Sequence, residues 1–207
     1  MITLYGHDLS GNTYKVRLLL ELLSLEYDYK PLDLMNGEHK QPAYLAINPF
    51  GQVPALVDRE VVLADAQGIL TYLARQYGGD AWLPTDAVSL SRVVRWLSTT
   101  AGEVRQGPEH ARLYHLFGVK AIDIDRAVEK SELILNLLDN HLSTRTWLEF
   151  ERPTIADIAV FPYVALAPDG QVSLEAYPYV LAWIDRVKQL PGFIGMRSIE
   201  VSTAIAA

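Results

Sequence analysis

The first part of the chain alternates short strand-like runs of apolar residues with segments of helical periodicity. Residues Ile2–Tyr5 form a β-favouring run, and from Thr13 to Leu25 apolar residues recur at about every third or fourth position, as on one face of a helix. The further predicted elements are a strand over Tyr27–Leu32, a short helix over Pro42–Ile47, strands over Val53–Val57 and Val61–Leu63, and a helix after Asp65. The predicted order of elements is therefore βαβαββα.

The helix after Asp65 has a recognisable start and end. Aspartate favours helix N-caps, and Gly78-Gly79 is typical of a C-terminal stop. The predicted inner stripe of this helix consists of Ile69, Leu70, Leu73 and Tyr77. The following run, Gly78–Asp86, contains glycines, a proline and two aspartates, which is typical of a linker.

Beyond this linker the strand signals almost vanish, and helical periodicity dominates. The helical segments are Val88–Thr100, Ile122–Leu142, Ile155–Val164 and Tyr179–Leu190. Thr154 and Asp157 have the spacing of a capping box before the third of them. The predicted fold class is α/β plus all-α, with an α/β domain at residues 1–78, a linker at 79–86 and an all-helical domain at 87–207.

Composition and charge are those of an ordinary globular protein. Of 207 residues, 50% are hydrophobic and 21% are charged, which argues against disorder, collagen and coiled coil. The net charge of -7 argues against a general nucleic-acid binder, which is usually basic. Apolar stretches such as Val16–Leu25 are too short to cross a membrane, and residues 1–5 are too short for a signal peptide's apolar part. We expect a cytoplasmic protein with no nucleic-acid or membrane partner.

The chain contains no cysteine. Disulfides, thiolate metal sites and every mechanism that needs a thiol of the protein itself are therefore excluded. No metal site is predicted.

Polar residues at three junctions of the first part are the candidates for chemistry. The run Leu9–Arg17 leads from a strand into a helix, where free backbone N–H groups and the helix dipole favour an anion. In Asn48–Leu56, Pro54 enters a strand and can adopt the cis form, which would expose the backbone of the preceding residue to a ligand. In Leu63–Ile69, a carboxylate stands at the start of another helix.

These three runs resemble the glutathione S-transferase superfamily. The motif Asn-Pro-x-Gly-x-Val-Pro-x-Leu at residues 48–56, with the later Asp65 and Tyr72-Leu73, carries the resemblance. Residues 10–18 are similar to bacterial members of the superfamily. The order of elements agrees, so the resemblance covers essentially the whole chain. It implies a thioredoxin-like N-terminal domain followed by an all-helical domain.

The resemblance also implies a site for glutathione as cosubstrate. Ser10 corresponds to the serine that hydrogen-bonds the glutathione sulfur in theta-like and zeta-like relatives, and Asn12 to an asparagine that some bacterial relatives use for the same purpose. Both side chains and the helix start would favour the thiolate. Val53, in front of a cis-Pro54, would pair its backbone with the cysteinyl part of glutathione.

Further residues would hold the two ends of glutathione. Gln52, His39 and Lys40 would face its glycine end, and Asp65 would receive the γ-glutamyl amine. The family commonly has a serine at the next position, whose hydroxyl holds the γ-glutamyl carboxylate, whereas this chain has Ala66. The backbone N–H of Ala66 remains, but a lost hydrogen bond to a charged group costs roughly 1.5–3 kcal/mol, so weaker binding is expected.

In relatives, the region from Glu103 to His115 faces the electrophile. Here it combines a proline kink signal with polar residues on an apolar helix. Arg105, Arg112 and Tyr114 are therefore the candidates for an electrophile pocket. A solvated helix face is the alternative for all three.

The resulting prediction is a glutathione transferase that conjugates glutathione to a small electrophile and forms a homodimer. A glutathione-dependent disulfide-bond oxidoreductase is one alternative, because some cysteine-free bacterial relatives use two bound glutathiones. A non-enzymatic scaffold or ligand carrier is the other, and Ala66 gives it weight. Phe50 lies where some relatives insert an aromatic side chain into the partner subunit, but it could equally anchor its own turn.

Overall fold

The first part of the chain forms a mixed four-stranded sheet in the computed structural model, which describes residues 1–200. The strands are β1 (Ile2–Gly6), β2 (Tyr27–Pro31), β3 (Ala55–Asp58) and β4 (Val61–Ala64). Their order across the sheet is β2-β1-β3-β4. β1 is parallel to β2, and β3 is antiparallel to both β1 and β4. A parallel pair needs a crossover connection, which the first helix supplies.

Three helices are interleaved with these strands. α1 (Gly11–Leu22) connects β1 with β2, α2 (Pro42–Leu45) precedes β3, and α3 (Ala66–Leu73) follows β4. The order βαβαββα is therefore confirmed. α1 begins earlier than the predicted span Thr13–Leu25, because Ser10 caps it. It also ends earlier, before Ser24, whose φ of 53° is not that of a right-handed helix.

The second part of the chain is helical, as predicted. Its helices are α4 (Gly79–Trp82), α5 (Ala87–Thr99), α6 (His110–Leu116), α7 (Ile124–Leu142), α8 (Ile155–Ala165) and α9 (Pro178–Lys188). Wider π-helical turns over Thr100–Glu109 connect α5 directly with α6. The single turn of α4 lies in the predicted linker at 79–86, and residues 201–207 of the predicted helical domain lie outside the described residues. None of the helices within residues 1–200 has both the length and the apolar character needed to cross a membrane.

The central helix of the molecule is α8. Every residue from Ile155 to Val164 is buried, and α8 packs against α1, α3, α5 and α9. A capping box begins this helix, as predicted: Thr154 Oγ1 accepts a hydrogen bond from the N–H of Ala156 at 3.2 Å, and the Asp157 carboxylate accepts one from the N–H of Thr154 at 3.0 Å. One continuous core therefore joins the sheet part to the helical part and holds the start of α1 against α8.

Tyr77 does not belong to the buried face of α3, so its predicted place in the inner stripe is wrong. The other three members of that stripe are buried, but Tyr77 is 37% exposed. After Leu73 the helix widens into π-helical turns over Ala74–Gly78, and the longer period takes the fourth residue after Leu73 off the buried face. The Tyr77 hydroxyl donates instead to the carboxylate of Asp58, and this hydrogen bond helps to lower the pKa of that carboxyl.

Candidate functional site

A cleft of about 740 Å³ opens between the sheet part and the helical part. This volume is typical of small-molecule sites. Its walls are the start of α1, the loop that leads into β3, the start of α3 and the helical segment between residues 100 and 117. The predicted site residues that line it are Ser10, Asn12, His39, Lys40, Gln52, Val53, Pro54, Asp65, Ala66, Arg105 and Arg112.

Tyr114 is not among the residues that line the cleft. It lies on α6 two residues after Arg112, and two residues turn a helix by about 200°, so the two side chains leave α6 on opposite sides. The ammonium of Lys120 lies 3.6 Å from the centre of the Tyr114 ring. Tyr114 therefore does not line this cleft, whereas Leu113 and Phe117 do, and its predicted contact with an electrophile stays a prediction.

Ser10 is the N-cap of α1. Its Oγ accepts a hydrogen bond from the backbone N–H of Thr13 at 3.2 Å. Capping uses the hydroxyl only as an acceptor, so its O–H hydrogen can still be donated to a ligand. The backbone N–H groups and partial positive charge of the helix start act on the same position. Ser10 therefore suits an anionic atom in the cleft.

Asn12 connects the cleft with a buried charge pair. Its Oδ1 accepts a hydrogen bond from the Lys15 ammonium at 2.7 Å, and its Nδ2 donates to Glu109 Oε1 at 3.4 Å. Lys15 is 0% exposed and Glu109 is 9% exposed. The centre of the Tyr163 ring lies 4.9 Å from the ammonium. Because Glu109 and Tyr163 belong to the helical part, this cluster spans both parts of the chain.

Burial shifts the pKa values in this cluster. It lowers the pKa of Lys15 to about 8, although the carboxylates of Glu109 and Asp65 act in the opposite direction. It raises the pKa of Glu109, although Lys15 and Arg105 oppose that shift. It also raises the pKa of the Tyr163 hydroxyl. Shifted pKa values beside a cleft are a feature of functional sites.

The backbone of Gly11 and the ring of Tyr163 are in direct contact beside Ser10. A Cβ at position 11 would lie 2.8 Å from ring atom Cζ, which is closer than van der Waals contact allows. Glycine is therefore required by the close approach of the ring. The contact fixes the start of α1 against α8.

Side-chain hydrogen bonds hold the loop that ends at Pro54. Nδ2 of the buried Asn48 donates to the carbonyl of Gln52 at 2.7 Å, and the Tyr44 hydroxyl donates to the same carbonyl at 2.6 Å. The peptide bond between Val53 and Pro54 is cis, as predicted. Val53 lines the cleft at the end of this loop.

Lys40 and His39 differ in what they can offer to a ligand. Lys40 Nζ donates to the carbonyls of Gly51 at 2.8 Å and Phe50 at 3.2 Å, so it is engaged within the protein. Nδ1 of His39 is buried and has no hydrogen-bond partner among the described residues. Burial, together with the charge of Lys40, lowers the pKa of His39, so the ring is neutral around pH 7. Of the two, His39 has a ring nitrogen without a partner among the described residues, whereas the Lys40 ammonium is already hydrogen-bonded within the protein.

Asp65 caps α3 with only one of its carboxylate oxygens. Oδ1 accepts hydrogen bonds from the N–H groups of Gln67 at 2.9 Å and Gly68 at 3.0 Å. Oδ2 and the N–H of Ala66 take no part in the cap. The φ angle of Asp65 is 71°, a conformation that costs a non-glycine residue about 1–3 kcal/mol and is concentrated at functional sites.

Arg112 links the helical part to the turn before Ser10. Its Nη1 donates to the carbonyl of Leu9 at 2.8 Å, and its Nε donates to Asp169 at 2.9 Å. Its Nη2 is buried and has no partner among the described residues. Arg112 is thus a buried connector at the cleft as well as a lining residue, and its predicted contact with an electrophile stays a prediction.

Sequence reasoning missed four residues that support the site. Lys15 gave a visible signal, because it lies four residues before Leu19 on the apolar face of α1. Asn48 belongs to the loop motif, but its role in closing the loop depends on the folded geometry. Glu109 and Tyr44 gave no signal in the sequence, because their roles arise from contacts between distant elements.

The cleft combines polar donors on one side with apolar side chains on the other. Ser10 and Asn12 lie on the sheet side, whereas Leu113 and Phe117 lie on the helical side, where Arg105 is exposed. Within residues 1–200, no group of three or more His, Asp or Glu side chains is arranged to hold a metal ion. The arrangement can hold a polar ligand with an anion at the start of α1, next to a smaller apolar molecule.

Comparison with protein families finds matches in both parts of the chain. Residues 1–75 match the glutathione S-transferase N-terminal domain, and residues 104–191 match the glutathione S-transferase C-terminal domain. Glutathione S-transferase 3 of Zea mays is 32% identical over 205 residues, which cover 93% of this chain and 91% of the relative.

Of two further similar proteins, one is named for its activity and the other was solved with a bound ligand. The disulfide-bond oxidoreductase YfcG of Escherichia coli is 29% identical over 202 residues, covering 92% of each chain. The solved structure of glutathione transferase URE2P6 from Phanerochaete chrysosporium, in complex with oxidized glutathione, has a TM-score of 0.83 and is 26% identical, again covering 92% of each chain.

Proposed function

Since the chain belongs to the glutathione S-transferase family, we propose that it is a glutathione transferase. It binds glutathione along the sheet side of the cleft and stabilises the thiolate beside Ser10 and Asn12. It then conjugates glutathione, through its sulfur, to a small electrophile.

The observation that supports this proposal most directly is the unused donor of Ser10. Because Oγ accepts the Thr13 N–H, the hydroxyl hydrogen is free to be donated to sulfur. A free thiol has a pKa of about 8.5, so little thiolate is present at neutral pH. Lowering that pKa by about two units requires roughly 2.7 kcal/mol of preferential thiolate stabilisation. A hydroxyl, an amide N–H and a helix start acting together have this strength.

The charges and donors along the cleft match the two ends of glutathione. The γ-glutamyl ammonium would pair with Oδ2 of Asp65, which the helix cap does not use. The neighbouring carboxylate would accept the N–H of Ala66 at the start of α3. The cysteinyl backbone would pair with Val53, and the glycine end would lie near His39 and Gln52, which line the same side.

The reaction requires no group from the protein to form a covalent bond. The thiol proton leaves to water, and the thiolate sulfur donates an electron pair to the electrophilic carbon. A carbon–sulfur bond forms, and with an aryl halide the carbon–halogen bond breaks and the halide leaves with its electron pair. Leu113 and Phe117 would contact the electrophile. Because apolar walls discriminate weakly, several small electrophiles are expected to react.

Titration calorimetry with glutathione, on the wild type and Asp65→Ala, tests the proposal. We expect a dissociation constant in the micromolar-to-millimolar range for the wild type and no detectable binding for Asp65→Ala, because the ammonium loses its partner. Asp86→Ala is the matched control: Asp86 also caps a helix, accepting the N–H of Ser89 at 2.9 Å, but does not line the cleft. It should bind glutathione like the wild type.

Absence of glutathione binding to the wild type would contradict the proposal and favour a non-enzymatic carrier or scaffold. Binding should be followed by an assay with a generic aryl halide. Binding without conjugation would contradict the transferase reaction and leave disulfide reduction as the reaction to test.

One comparison favours disulfide reduction as a second candidate. A relative of similar length is a disulfide-bond oxidoreductase. Since this chain has no cysteine, two glutathione thiols would have to supply the electrons. Both thiols would be oxidised to one glutathione disulfide, and the substrate disulfide would be reduced to two thiols by the transferred electrons and protons. An assay with a glutathionylated disulfide, run beside the aryl halide assay, distinguishes the two reactions.

A homodimer is part of the same proposal. The side chain of Phe50 is 78% exposed, so it does not anchor its own turn. An exposed aromatic ring on a loop is suited to an apolar site on a second copy of the chain. The edge strand β4 also exposes Val61 and Val62. A cytoplasmic location stays a prediction.

A further inference from the structure

A lysine is buried on the apolar face of α1. Lys15 is 0% exposed and does not line the cleft. An ammonium is costly to bury unless it is paired and hydrogen-bonded, and replacing a buried ion pair by apolar residues is often neutral or stabilising. Stability alone therefore does not account for a lysine at this position.

The groups that face this ammonium come from several elements. Nζ of Lys15 donates to Asn12 Oδ1 at 2.7 Å within α1. Tyr163 of α8 places its ring 4.9 Å away, and the carboxylates of Glu109 and Asp65 attract the ammonium from the π-helical segment and the start of α3. All four of these neighbours line the cleft. Lys15 can therefore influence a ligand in the cleft through these four neighbours.

The hydrogen bond from Lys15 determines which way the Asn12 amide faces. An ammonium has donors only, so its partner must be the amide oxygen and not the nitrogen. The amide nitrogen then faces the opposite direction, where one of its two N–H groups makes the long bond of 3.4 Å to Glu109. The reversed amide would direct donors at the Lys15 ammonium and an oxygen at the Glu109 carboxylate, and both contacts would be repulsive.

We propose that Lys15 is a positioning residue of the thiol site: it holds the Asn12 amide with its nitrogen towards the cleft, so that the second N–H can donate to the glutathione sulfur beside the Ser10 hydroxyl. This inference rests on the proposed function, because it requires glutathione in the cleft. A donor aimed at sulfur favours the thiolate over the thiol. Lys15 itself touches neither the sulfur nor the electrophile.

Lys15→Met tests the proposal, because methionine is flexible and apolar and removes both the charge and the donor. The readout is the thiol pKa of bound glutathione, measured from the ultraviolet absorbance of the thiolate across a pH series at saturating glutathione. We expect this pKa to rise by about one unit, which is a tenfold lower ratio of thiolate to thiol at a given pH. A thiol pKa unchanged from that of the wild type would overturn the proposal.

Lys30→Met is the matched control. Lys30 is exposed, pairs with Asp28 at 2.7 Å and does not line the cleft. The same substitution there removes one positive charge from the protein and should leave the thiol pKa unchanged. A rise equal to that of Lys15→Met would overturn the positioning role, because it would show a general effect of charge.

Asn12→Ala and the double variant Asn12→Ala/Lys15→Met separate positioning from a direct charge effect. If Lys15 acts through the Asn12 amide, then Lys15→Met should raise the thiol pKa in the wild-type background but by less than about 0.3 unit in the Asn12→Ala background. An equal rise in both backgrounds would overturn the positioning role.

Glu109→Gln keeps the test decisive if Lys15→Met does not fold. Glutamine preserves an oxygen that can accept from Asn12 but removes the negative charge that faces Lys15 and Arg105. The thiol pKa should not rise, because Lys15 still holds the Asn12 amide oxygen and one like charge near the thiolate is lost. A higher pKa would show that Glu109, and not Lys15, orients the amide, and would overturn the proposal. If the thiol pKa of glutathione bound to the wild type equals that of free glutathione, the proposed function itself is contradicted. If the wild type lowers this pKa and Lys15→Met lowers it by the same amount, only the role of Lys15 is contradicted.

Discussion

The guanidinium of Arg112 donates a hydrogen bond to the carbonyl of Leu9, the residue before Ser10, at 2.8 Å. The same guanidinium forms an ion pair with Asp169 at 2.9 Å, and the side chain of Arg112 is only 2% exposed. The turn that carries Ser10 is therefore fastened to the helical part by a buried charge. Substitutions at this contact should affect both stability and glutathione binding.

Arg112→Met is expected to lower the free energy of unfolding by about 3–5 kcal/mol, because it breaks a buried ion pair and leaves Asp169 without its partner. It should also raise the KM for glutathione, since the Leu9 carbonyl loses the donor that holds the turn before Ser10. Urea unfolding followed by circular dichroism and steady-state kinetics measure the two effects.

Arg75→Met is the control for Arg112→Met. Arg75 also bonds an aspartate and a carbonyl, those of Asp80 and Leu83, but its side chain is 42% exposed. Exposed pairs contribute about 1 kcal/mol or less. Equal losses in the free energy of unfolding would show that the buried contact of Arg112 stabilises the protein no more than the exposed contact of Arg75.

Ser10→Ala removes both the donor to sulfur and the cap of α1. We expect kcat/KM to fall about tenfold to a hundredfold, because a hydrogen bond to a charged group contributes about 1.5–3 kcal/mol, and stability to fall by about 1 kcal/mol. The pH–rate profile should shift to higher pH, since more base is needed to form the thiolate. Ser10→Thr keeps the hydroxyl and should retain most of the activity. If both variants lose activity equally, the hydroxyl is not the donor.

Ala66→Ser should improve glutathione binding. Ala66 is buried at the start of α3 and lines the cleft, so a serine hydroxyl there would be close to the γ-glutamyl carboxylate. One hydrogen bond to a charged group corresponds to a dissociation constant lower by about tenfold or more. Titration calorimetry measures the change. An unchanged or weaker affinity would mean that the carboxylate does not lie at position 66.

The stability of the wild type should depend on pH through Lys15. Burial lowers the pKa of Lys15 from 10.5 to about 8, so between these values the unfolded chain holds a proton that the folded chain has released. The free energy of unfolding of the wild type, relative to Lys15→Met, should therefore rise with pH across this interval, by ~2–3 kcal/mol between about pH 8 and pH 10. Urea unfolding at several pH values measures it. A constant difference would show that Lys15 remains charged throughout.

Phe50→Ala should weaken the homodimer. Phe50 is exposed in the protomer, so its removal should leave the free energy of unfolding of one subunit almost unchanged while raising the dimer dissociation constant, by more than about tenfold if it fills a buried site on the partner. Sedimentation equilibrium measures this. Phe117→Ala is a useful comparison, because Phe50 and Phe117 both line the cleft but only Phe50 is proposed to contact the partner subunit. Phe117→Ala should therefore leave the dimer dissociation constant unchanged. A monomeric wild type would contradict the prediction.

Much of the fold was predictable because the strands and helices carry their own hydrophobic periods. The sheet-side residues of the site were also predictable, since they lie at junctions between elements: Ser10 and Asp65 are caps, and Pro54 enters a strand. Local rules of chain geometry act at such junctions, so short stretches of sequence are informative there.

The remaining features depend on geometry that local sequence does not reveal. Tyr77 leaves the buried face because α3 widens into π-helical turns, and a period of 3.6 residues does not anticipate that. Tyr114 faces away from the cleft because it shares α6 with an inward-facing Arg112. Lys15 finds its countercharge in Glu109 only after two distant segments pack together. In each case tertiary contacts decided the outcome.

The contact between Gly11 and the Tyr163 ring also restricts how this chain can diverge. A Cβ at position 11 would lie 2.8 Å from the ring, so a larger residue there is compatible only with a smaller one at position 163. The two positions lie in different halves of the chain but must change together under selection. A recombinant that takes its first half from one homologue and its second half from another is viable only if these two positions match.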